Sequence, residues 1–195
     1  MRKATLNRKT KETDISATVN LDGNGKYKIS TGIGFLDHML EQLSRHSLID
    51  IELNCRGDLH IDNHHTAEDC GIVLGQALLK ALGDKKGIAR FGNALSPMDD
   101  ALTEVAIDIC GRGFLVWQVK FSQDKLGEME AELFREWFHA LAINLAANIH
   151  VVNRYGINNH HKIESSFKGL ARSLRQAMML DERQIGQVTS TKGAL

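Results

Sequence analysis

Long hydrophobic runs are absent from this sequence, and the absence argues against a membrane-spanning helix. The apolar stretches fall far short of the roughly 20 residues that span a bilayer, and the charged N-terminus does not resemble a signal peptide. Only three cysteines occur, Cys55, Cys70 and Cys110, and none has CxxC spacing. This argues against a disulfide framework or a structural zinc site. Reduced thiols are typical of the cytoplasm, which is the expected location.

The sequence also lacks an excess of charge of either sign. Lys and Arg together number 24, as do Asp and Glu, so the formal net charge is zero. Such a balance gives no general attraction to nucleic acid or to a membrane, and neither is expected as a partner. The 195 residues are 43% hydrophobic and 25% charged, which is typical of a globular domain with a core of its own.

Histidine stands out because several of its nine copies are clustered. The segments HHTAE at 64–68 and HHKIE at 160–164 share the pattern HHxxE and lie 96 residues apart. Each one opens a segment whose apolar residues have helical spacing. A helix-like stretch precedes each motif, at 35–43 and 133–141, and a strand-like run follows each stretch, at 48–53 and 148–152.

The two motifs belong to a longer internal repeat. Further strands are predicted at 4–6, 15–21 and 27–29 in the first half, and at 102–109 and 114–121 in the second. We therefore predict an α+β fold, internally duplicated, with two similar half-domains whose helices pack between two β-sheets. The halves are about 1–92 and 93–195 of a single unit. Residues 83–97 are expected to join them, and the tail 188–195 is expected to be a loop.

Helical geometry indicates how the two motifs would bind metal. Positions i and i+4 share a helix face, so His64 and Glu68 can hold one ion together. His65 is turned about 100° away and does not easily reach the same ion. Because the second motif repeats this arrangement, two ions are predicted. Each would take a His–Glu pair from one motif and the odd histidine from the other.

The upstream helices supply further candidate ligands. His38 precedes the first motif by 26 residues, and Glu136 precedes the second by 24. His139 and His150 compete with Glu136, and spacing does not choose among them. Imidazole and carboxylate ligands without thiolate favour manganese, iron or zinc, and an octahedral site with room for substrate favours manganese. The two predicted sets are His38, His65, His160 and Glu164 for one ion, and His64, Glu68, Glu136 and His161 for the other.

Three other classes of protein could use such ligands. A ferritin-like di-iron bundle carries paired Glu and His on helices, but the strand-like segments argue against a mostly helical chain. A di-metal phosphatase or amidohydrolase would suit two metals and a basic pocket, and it would cleave a phosphate ester. A metal-storage shell would bind metal without needing a group of cations for a phosphate.

Several longer blocks resemble the imidazoleglycerol-phosphate dehydratase family, in the family's order from about Arg8 to Gly193. The resemblance implies a lyase of histidine biosynthesis that dehydrates imidazole glycerol phosphate to imidazole acetol phosphate. The length leaves no room for the phosphatase domain fused to some relatives, so the monofunctional form is expected. The blocks are TKET at 10–13, GIGFLDHML at 32–40, DNHHTAED at 62–69, GIARFG at 87–92, GR at 111–112, HHKIESSFK at 160–168 and STKG at 190–193.

The resemblance also implies two Mn²⁺ per active site, which bind the ring nitrogens, favour imidazolate and let the ring expel hydroxide. Glu136 falls where some relatives have His and others Glu. The implied catalytic set is Glu12, Glu164, His38 and His65. The carboxylates of Glu12 and Glu164 are implied to move protons and position the substrate. The implied metal ligands are His38, His64, His65, Glu68, Glu136, His160, His161 and Glu164.

The partner that the resemblance implies is a small phosphorylated imidazole substrate. Arg offers bidentate contacts to a phosphate and Lys a point charge. Cys110 stands where the family commonly has Ser, and the similar size should preserve the turn. Relatives form trimers that combine into 24 subunits with active sites where subunits meet, so a homo-oligomer is expected. The implied substrate- and phosphate-binding residues are Glu12, Gln42, His46, Arg90, Arg112, Lys168, Ser190 and Lys192.

Overall fold

The computed structural model describes residues 2–194, and its elements follow the order that two repeats predict. A single 3-10 turn, Glu182–Gln184, precedes the C-terminal segment. Within this range no helix is both long and apolar enough to cross a membrane. The first-half elements are β1 (Lys3–Lys9), β2 (Thr13–Asn20), β3 (Tyr27–Ser30), α1 (Gly34–Ser47), β4 (Asp50–Gly57) and α2 (His64–Leu82). The second-half elements are β5 (Phe91–Met98), β6 (Ala101–Asp108), β7 (Phe114–Gln118), β8 (Lys125–Leu126), β9 (Met129–Glu130), α3 (Leu133–Leu145), β10 (Asn148–Tyr155) and α4 (Asn159–Met178).

The two four-stranded sheets have the same topology. Their strand orders are β1-β2-β4-β3 and β5-β6-β10-β7. In each sheet the last strand in this order pairs in parallel with its neighbour, and the other pairs are antiparallel. This equivalence confirms the α+β fold with two similar half-domains. The division at about residue 92 stays a prediction.

The helices form the layer between the sheets. Helix α2 packs against β1, β2 and β4 and against α3, while α4 packs against β5, β6 and β10 and against α1. The strands alternate between buried and exposed residues, so each sheet covers the helices with one face. Contacts between helices of different halves therefore join the halves into one core.

Aromatic rings fill the part of this core that lies next to His160. The ring centroid of Trp137 lies 4.8 Å from that of Phe167 and 5.1 Å from that of Phe138, and all three side chains are fully buried. Phe35 stacks edge-on against the His160 ring at 5.1 Å. The core thus extends to the first turn of α4 and restricts the orientation of His160.

The expected connection at 83–97 is wrong in its second part, because Phe91–Met98 forms strand β5. Its inward residues are small, since Gly92 lies so close to α4 that a Cβ would meet the Ser173 carbonyl oxygen at 2.0 Å. Its outward residues include the large Phe91 and Leu95. This reversal removes the usual hydrophobic signal. Pro97 is tolerated because β5 is an edge strand.

The other differences concern the ends of elements and one short hairpin. Strand β7 ends at Gln118, before the predicted 121, and the short hairpin of β8 and β9 was not predicted. Helix α3 continues past the predicted residue 141. It ends at Leu145, because the next residue, Ala146, has the left-handed conformation that terminates a helix. The tail contains no regular element at 188–194, and Leu195 lies outside the described residues.

We expect Gly92→Ala to destabilise the protein by about 1–3 kcal/mol, because the methyl group would push α4 away from β5. The free energy of unfolding in urea, followed by circular dichroism, measures this loss. Gly34→Ala is the matched control, since a Cβ at Gly34 would meet no heavy atom within 4 Å. Equal unfolding midpoints for the two variants would contradict the close approach of α4 to β5.

Candidate active site

Two histidines and a glutamate converge where α1 meets α4. One ligand atom each from His38, His160 and Glu164 lies within 4.8 Å of the other two. His160 Nε2 is 2.9 Å and His38 Nε2 is 3.5 Å from Glu164 Oε2. Three of the four residues of the first predicted ligand set therefore meet in one chain. Among residues 2–194 this is the one cluster of three or more such groups.

Glu164 is the buried member of the cluster, and both of its carboxylate oxygens are engaged. Burial favours its protonated form, but hydrogen bonds from Lys168 and His160 outweigh burial and lower its pKa. Lys168 Nζ lies 2.6 Å from Oε1, while Oε2 faces the two histidines. The carboxylate is therefore ionised near neutral pH and offers negative charge to a cation.

The second predicted ligand set does not converge within one chain. His64 and Glu68 do share a face of α2, with Nε2 and Oε2 3.8 Å apart, and both are about half exposed. Glu136 instead forms an ion pair with its neighbour Arg135 at 2.6 Å. The competing residues His139, on α3, and His150, on the outer face of β10, are both exposed. The choice among these three residues stays open.

The second histidine of each motif, His65 or His161, is the odd histidine, and both of its ring nitrogens face carboxylates. His65 Nδ1 lies 3.1 Å from Asp58 Oδ2, and its Nε2 lies 3.7 Å from Glu12 Oε1. The hydrogen bond with Asp58 is the main reason that the pKa of His65 is raised. His161 Nδ1 lies 2.6 Å from Asp100 Oδ1, and its Nε2 lies 3.4 Å from Asp99 Oδ2.

Asp100 also binds the loop that leads into α4. Its Oδ2 accepts hydrogen bonds from the backbone N–H groups of Ile157 at 2.5 Å and Asn158 at 3.0 Å. The hydrogen bond with His161, followed by these two, holds the pKa of Asp100 far below its ordinary value. Asn158 in turn caps α4 by accepting from the N–H groups of His160 and His161. The start of α4, with both histidines, is thus fixed to the β5–β6 hairpin.

Glu12 lies in the β1–β2 hairpin, which is fastened to α2 and to the end of β4. The buried Asp69 accepts a 2.5 Å hydrogen bond from Thr13 Oγ1. Asp58 N donates to the Glu12 carbonyl at 3.0 Å. The Glu12 side chain itself is about half exposed, so it can reach a ligand while its backbone is held.

Four of the expected phosphate-binding residues line one cavity of about 180 Å³ beside the C-terminal segment. Arg90 is held there by Asp108, at 2.7 and 3.1 Å, and this ion pair raises the pKa of the guanidinium group. Arg90 also donates to the Thr189 carbonyl at 2.7 Å, which fastens the C-terminal segment over the cavity. The four residues are Arg90, Arg112, Ser190 and Lys192.

Three more of the expected substrate-binding residues, Gln42, His46 and Lys168, lie near Glu164, whereas Glu12 faces His65. His46 Nε2 and Gln42 Oε1, one turn apart on α1, are 3.2 Å from each other. Burial, and then the positive charge of Lys168, lower the pKa of His46. His46 therefore favours the neutral form, in which the ring can both donate and accept a hydrogen bond.

Comparison with known proteins identifies the family. A sequence model of imidazoleglycerol-phosphate dehydratase matches residues 31–174. The chain is 56% identical over 195 residues to imidazoleglycerol-phosphate dehydratase of Methylobacterium radiotolerans, covering 100% of both sequences. The chain belongs to the imidazoleglycerol-phosphate dehydratase family. It is therefore a carbon–oxygen hydro-lyase of histidine biosynthesis, as the sequence blocks indicated.

Solved structures of the family agree with the fold. The crystal structure of imidazoleglycerol-phosphate dehydratase from Staphylococcus aureus matches with a TM-score of 0.84 at 35% identity, covering 92% of this chain and 99% of that one. The enzyme from Pyrococcus furiosus, solved in complex with (S)-C348, matches with a TM-score of 0.83 at 37% identity. That match covers 97% of this chain and 100% of the other.

Cys110 is a departure from the imidazoleglycerol-phosphate dehydratase pattern that the turn accommodates. Its side chain is buried, and its Sγ lies 3.5 Å from the Arg112 carbonyl oxygen, so the thiol can donate as a Ser hydroxyl would. Gly111 has a φ of +81°, which favours glycine at this position. The turn that presents Arg112 to the cavity is therefore retained.

Sequence reasoning missed the carboxylates that contact the odd histidines. Asp58 lies seven residues before His65, whereas Asp100 lies 61 residues before His161, so no shared spacing reveals both. The adjacent pair Asp99 and Asp100, immediately after strand β5, was the available signal. The contact of this pair with His161 depends on the β5–β6 hairpin, which was not predicted because strand β5 was missed.

We expect Lys168→Met to raise the pKa of His46 in metal-free protein, because removing the ammonium group leaves the attraction of Glu164 unopposed. A histidine NMR titration measures this pKa. Arg172→Met is the matched control, since the positive charge of Arg172 lowers the pKa of His46 less than that of Lys168 does, and its removal should shift the pKa less. An unchanged His46 pKa in Lys168→Met would contradict the electrostatic account.

Proposed function

We propose that the chain dehydrates imidazole glycerol phosphate to imidazole acetol phosphate at a centre of two Mn²⁺ ions. The observation that carries this proposal is the convergence of His38, His160 and Glu164 beside Lys168, in a chain of this hydro-lyase family. This arrangement combines a cation site with an ammonium group that suits a phosphorylated substrate. The product would keep its phosphate.

The donor chemistry fits manganese. The converging atoms are two imidazole nitrogens and one ionised carboxylate oxygen, and all three cysteines are buried elsewhere. We assign one ion to His38, His65, His160 and Glu164, and the other to His64, Glu68, His161 and one of the open residues, with Glu136 preferred. When bound, the two ions would act as Lewis acids that stabilise the ring as imidazolate.

We propose that copies of the chain complete one another's sites. His65 is absent from the cluster that His38 begins, and the half-exposed pair of His64 and Glu68 lacks its further ligands within one chain. An exposed isoleucine precedes each motif helix, Ile61 at 61% and Ile157 at 86% exposure, which suits burial against another copy. The expected assembly is 24 subunits built from trimers, with active sites where subunits meet.

The two catalytic carboxylates have different surroundings, and this suggests a division of roles. Glu164 is held by Lys168 and His160, which suits orientation of a cation and of the ring. Glu12 is half exposed, so we propose that its carboxylate accepts the proton that leaves the glycerol side chain. His38 and His65 would hold the imidazole end of the substrate through the metal ions.

The cavity at the C-terminal segment is the proposed phosphate site. Arg112 and Lys192 form no ion pair with another residue of the described part of the chain, and both are exposed to an incoming anion. Arg90, positioned by Asp108, adds a third cation, and the Ser190 hydroxyl adds a donor. Lys168, Gln42 and His46 would approach the substrate from the metal side.

Metal-stripped protein should not turn over imidazole glycerol phosphate, and added Mn²⁺ should restore formation of the acetol phosphate. The acetol phosphate and free phosphate are measured together, because a di-metal phosphatase would release phosphate and a dehydratase would not. His65→Ala and Glu164→Ala should each lose one metal equivalent and most of the activity. Turnover without metal, or release of phosphate as the main reaction, would contradict the proposal.

Arg112→Ala should raise KM for the phosphorylated substrate by about 10- to 100-fold with a smaller change in kcat, because it removes a charge-assisted contact remote from the reacting bond. Lys168→Ala should raise KM and also lower kcat, because Lys168 holds Glu164. Lys28→Ala is the control, since Lys28 pairs with Glu52 on the outer face of the first sheet. An Arg112→Ala enzyme with unchanged KM would remove this cavity from the phosphate site.

A further inference from the structure

Each odd histidine directs the same ring nitrogen toward an aspartate. His65 Nδ1 lies 3.2 and 3.1 Å from the two carboxylate oxygens of Asp58. His161 Nδ1 lies 2.6 Å from Asp100 Oδ1. Because an ionised carboxylate can only accept, Nδ1 must carry the proton in both contacts. The lone pair of the neutral ring is then on Nε2.

The two aspartates come from positions that the duplication does not relate. Asp58 follows directly after β4, whereas Asp100 lies in the hairpin between β5 and β6. The counterpart of β4 in the second half is β10, which is followed by Gly156 and Ile157. The same contact is therefore made by different loops, so it is not simply inherited from a common half-domain.

We propose that Asp58 and Asp100 are positioning residues that hold His65 and His161 with Nδ1 protonated and Nε2 available to a metal ion. The inference rests on the proposed metal centre and adds two residues to it. A carboxylate behind a metal-binding histidine selects the tautomer, fixes the ring orientation and strengthens the histidine as a ligand. Neither aspartate would touch the metal or the substrate.

The surroundings of Asp100 make the effect of an amide predictable. Its Oδ2 accepts from two backbone N–H groups, of Ile157 and Asn158, so an asparagine there would keep its oxygen at that position. The amide NH₂ would then face His161 Nδ1, which must become an acceptor. The ring would move its proton to Nε2 and lose the lone pair that binds metal.

Among the described residues the Asp58 carboxylate accepts no hydrogen bond from the backbone, and its one hydrogen-bond partner is His65. An asparagine at 58 is free to turn its oxygen toward Nδ1 and keep a weaker hydrogen bond. The two amide substitutions should therefore differ. Asp100→Asn should invert the tautomer of His161. Asp58→Asn should leave the tautomer of His65 unchanged and only weaken His65 as a metal ligand.

The test uses the full-length, metal-free protein with ¹⁵N-labelled histidine at a pH where the rings are neutral. Solid-state NMR reports which ring nitrogen of His161 is protonated, and His161→Gln identifies its signals. Mn²⁺ binding to the same samples is measured by electron paramagnetic resonance of the free ion. We expect Asp100→Asn to move the proton to Nε2 and to weaken binding at one site by about 10- to 100-fold. Asp58→Asn should weaken binding less.

Asp62→Asn is the matched control. Asp62 carries the same charge near the first motif, but it accepts from the backbone N–H of His64 instead of contacting a ring, and an amide oxygen can replace it. Mn²⁺ affinity should stay at the wild-type value in this variant. An equal loss in Asp62→Asn would show that charge alone matters and would overturn the proposal.

The remaining outcomes separate this inference from the proposed function. Unchanged Mn²⁺ affinity and an unchanged His161 tautomer in Asp100→Asn would overturn the positioning role, even if the wild-type enzyme dehydrates its substrate. If the wild-type protein binds Mn²⁺ but does not dehydrate the substrate, the proposed reaction is overturned, whereas a changed His161 tautomer and a weakened Mn²⁺ affinity in Asp100→Asn would still support the positioning role. If Asp100→Asn does not fold, Asp58→Ala is measured instead, because the Asp58 carboxylate accepts no hydrogen bond from the backbone. The Mn²⁺ affinity of Asp58→Ala should still fall, and an unchanged affinity would overturn the positioning role.

Discussion

The buried carboxylate of Glu164 is the contact on which the rest of the site depends. It joins α1 to α4 by facing His38 and His160, and it fixes Lys168 on its other side. Because Lys168 and His160 keep the carboxylate ionised, the protein maintains a negative charge at the edge of its aromatic core. A cation bound there would offset the cost of burying that charge.

The duplicated fold explains how the other groups are arranged around this contact. Each half directs a motif helix into the layer between the sheets, and hairpins and strand ends surround the first turn of that helix. The core beneath is rigid, with Phe35 packed against His160, while the carboxylates above it lie on loops. In the proposed site, helices therefore supply the candidate metal ligands, and loops supply the groups that we propose to orient these ligands or to move protons.

Much of this could be predicted from sequence, because a helix relates i to i+4 whatever surrounds it. The facing of His64 and Glu68, and of His160 and Glu164, follows from that periodicity alone. Strand β5 could not be predicted, since its close approach to α4 requires small residues on the buried face. Contacts to Asp100 depend on the tertiary placement of that hairpin. The separation of the predicted ligands within one chain became apparent only in three dimensions.

We propose that no single copy of the chain contains a complete site, and co-expression of two inactive variants tests this proposal most directly. His65→Ala and Glu164→Gln chains, mixed equally, would each supply the group that the other lacks. If the two residues of one site come from different copies, about a quarter of wild-type turnover should return, because half the sites receive each intact residue. Turnover no greater than that of the separate variants would contradict the account and place both residues in the same copy.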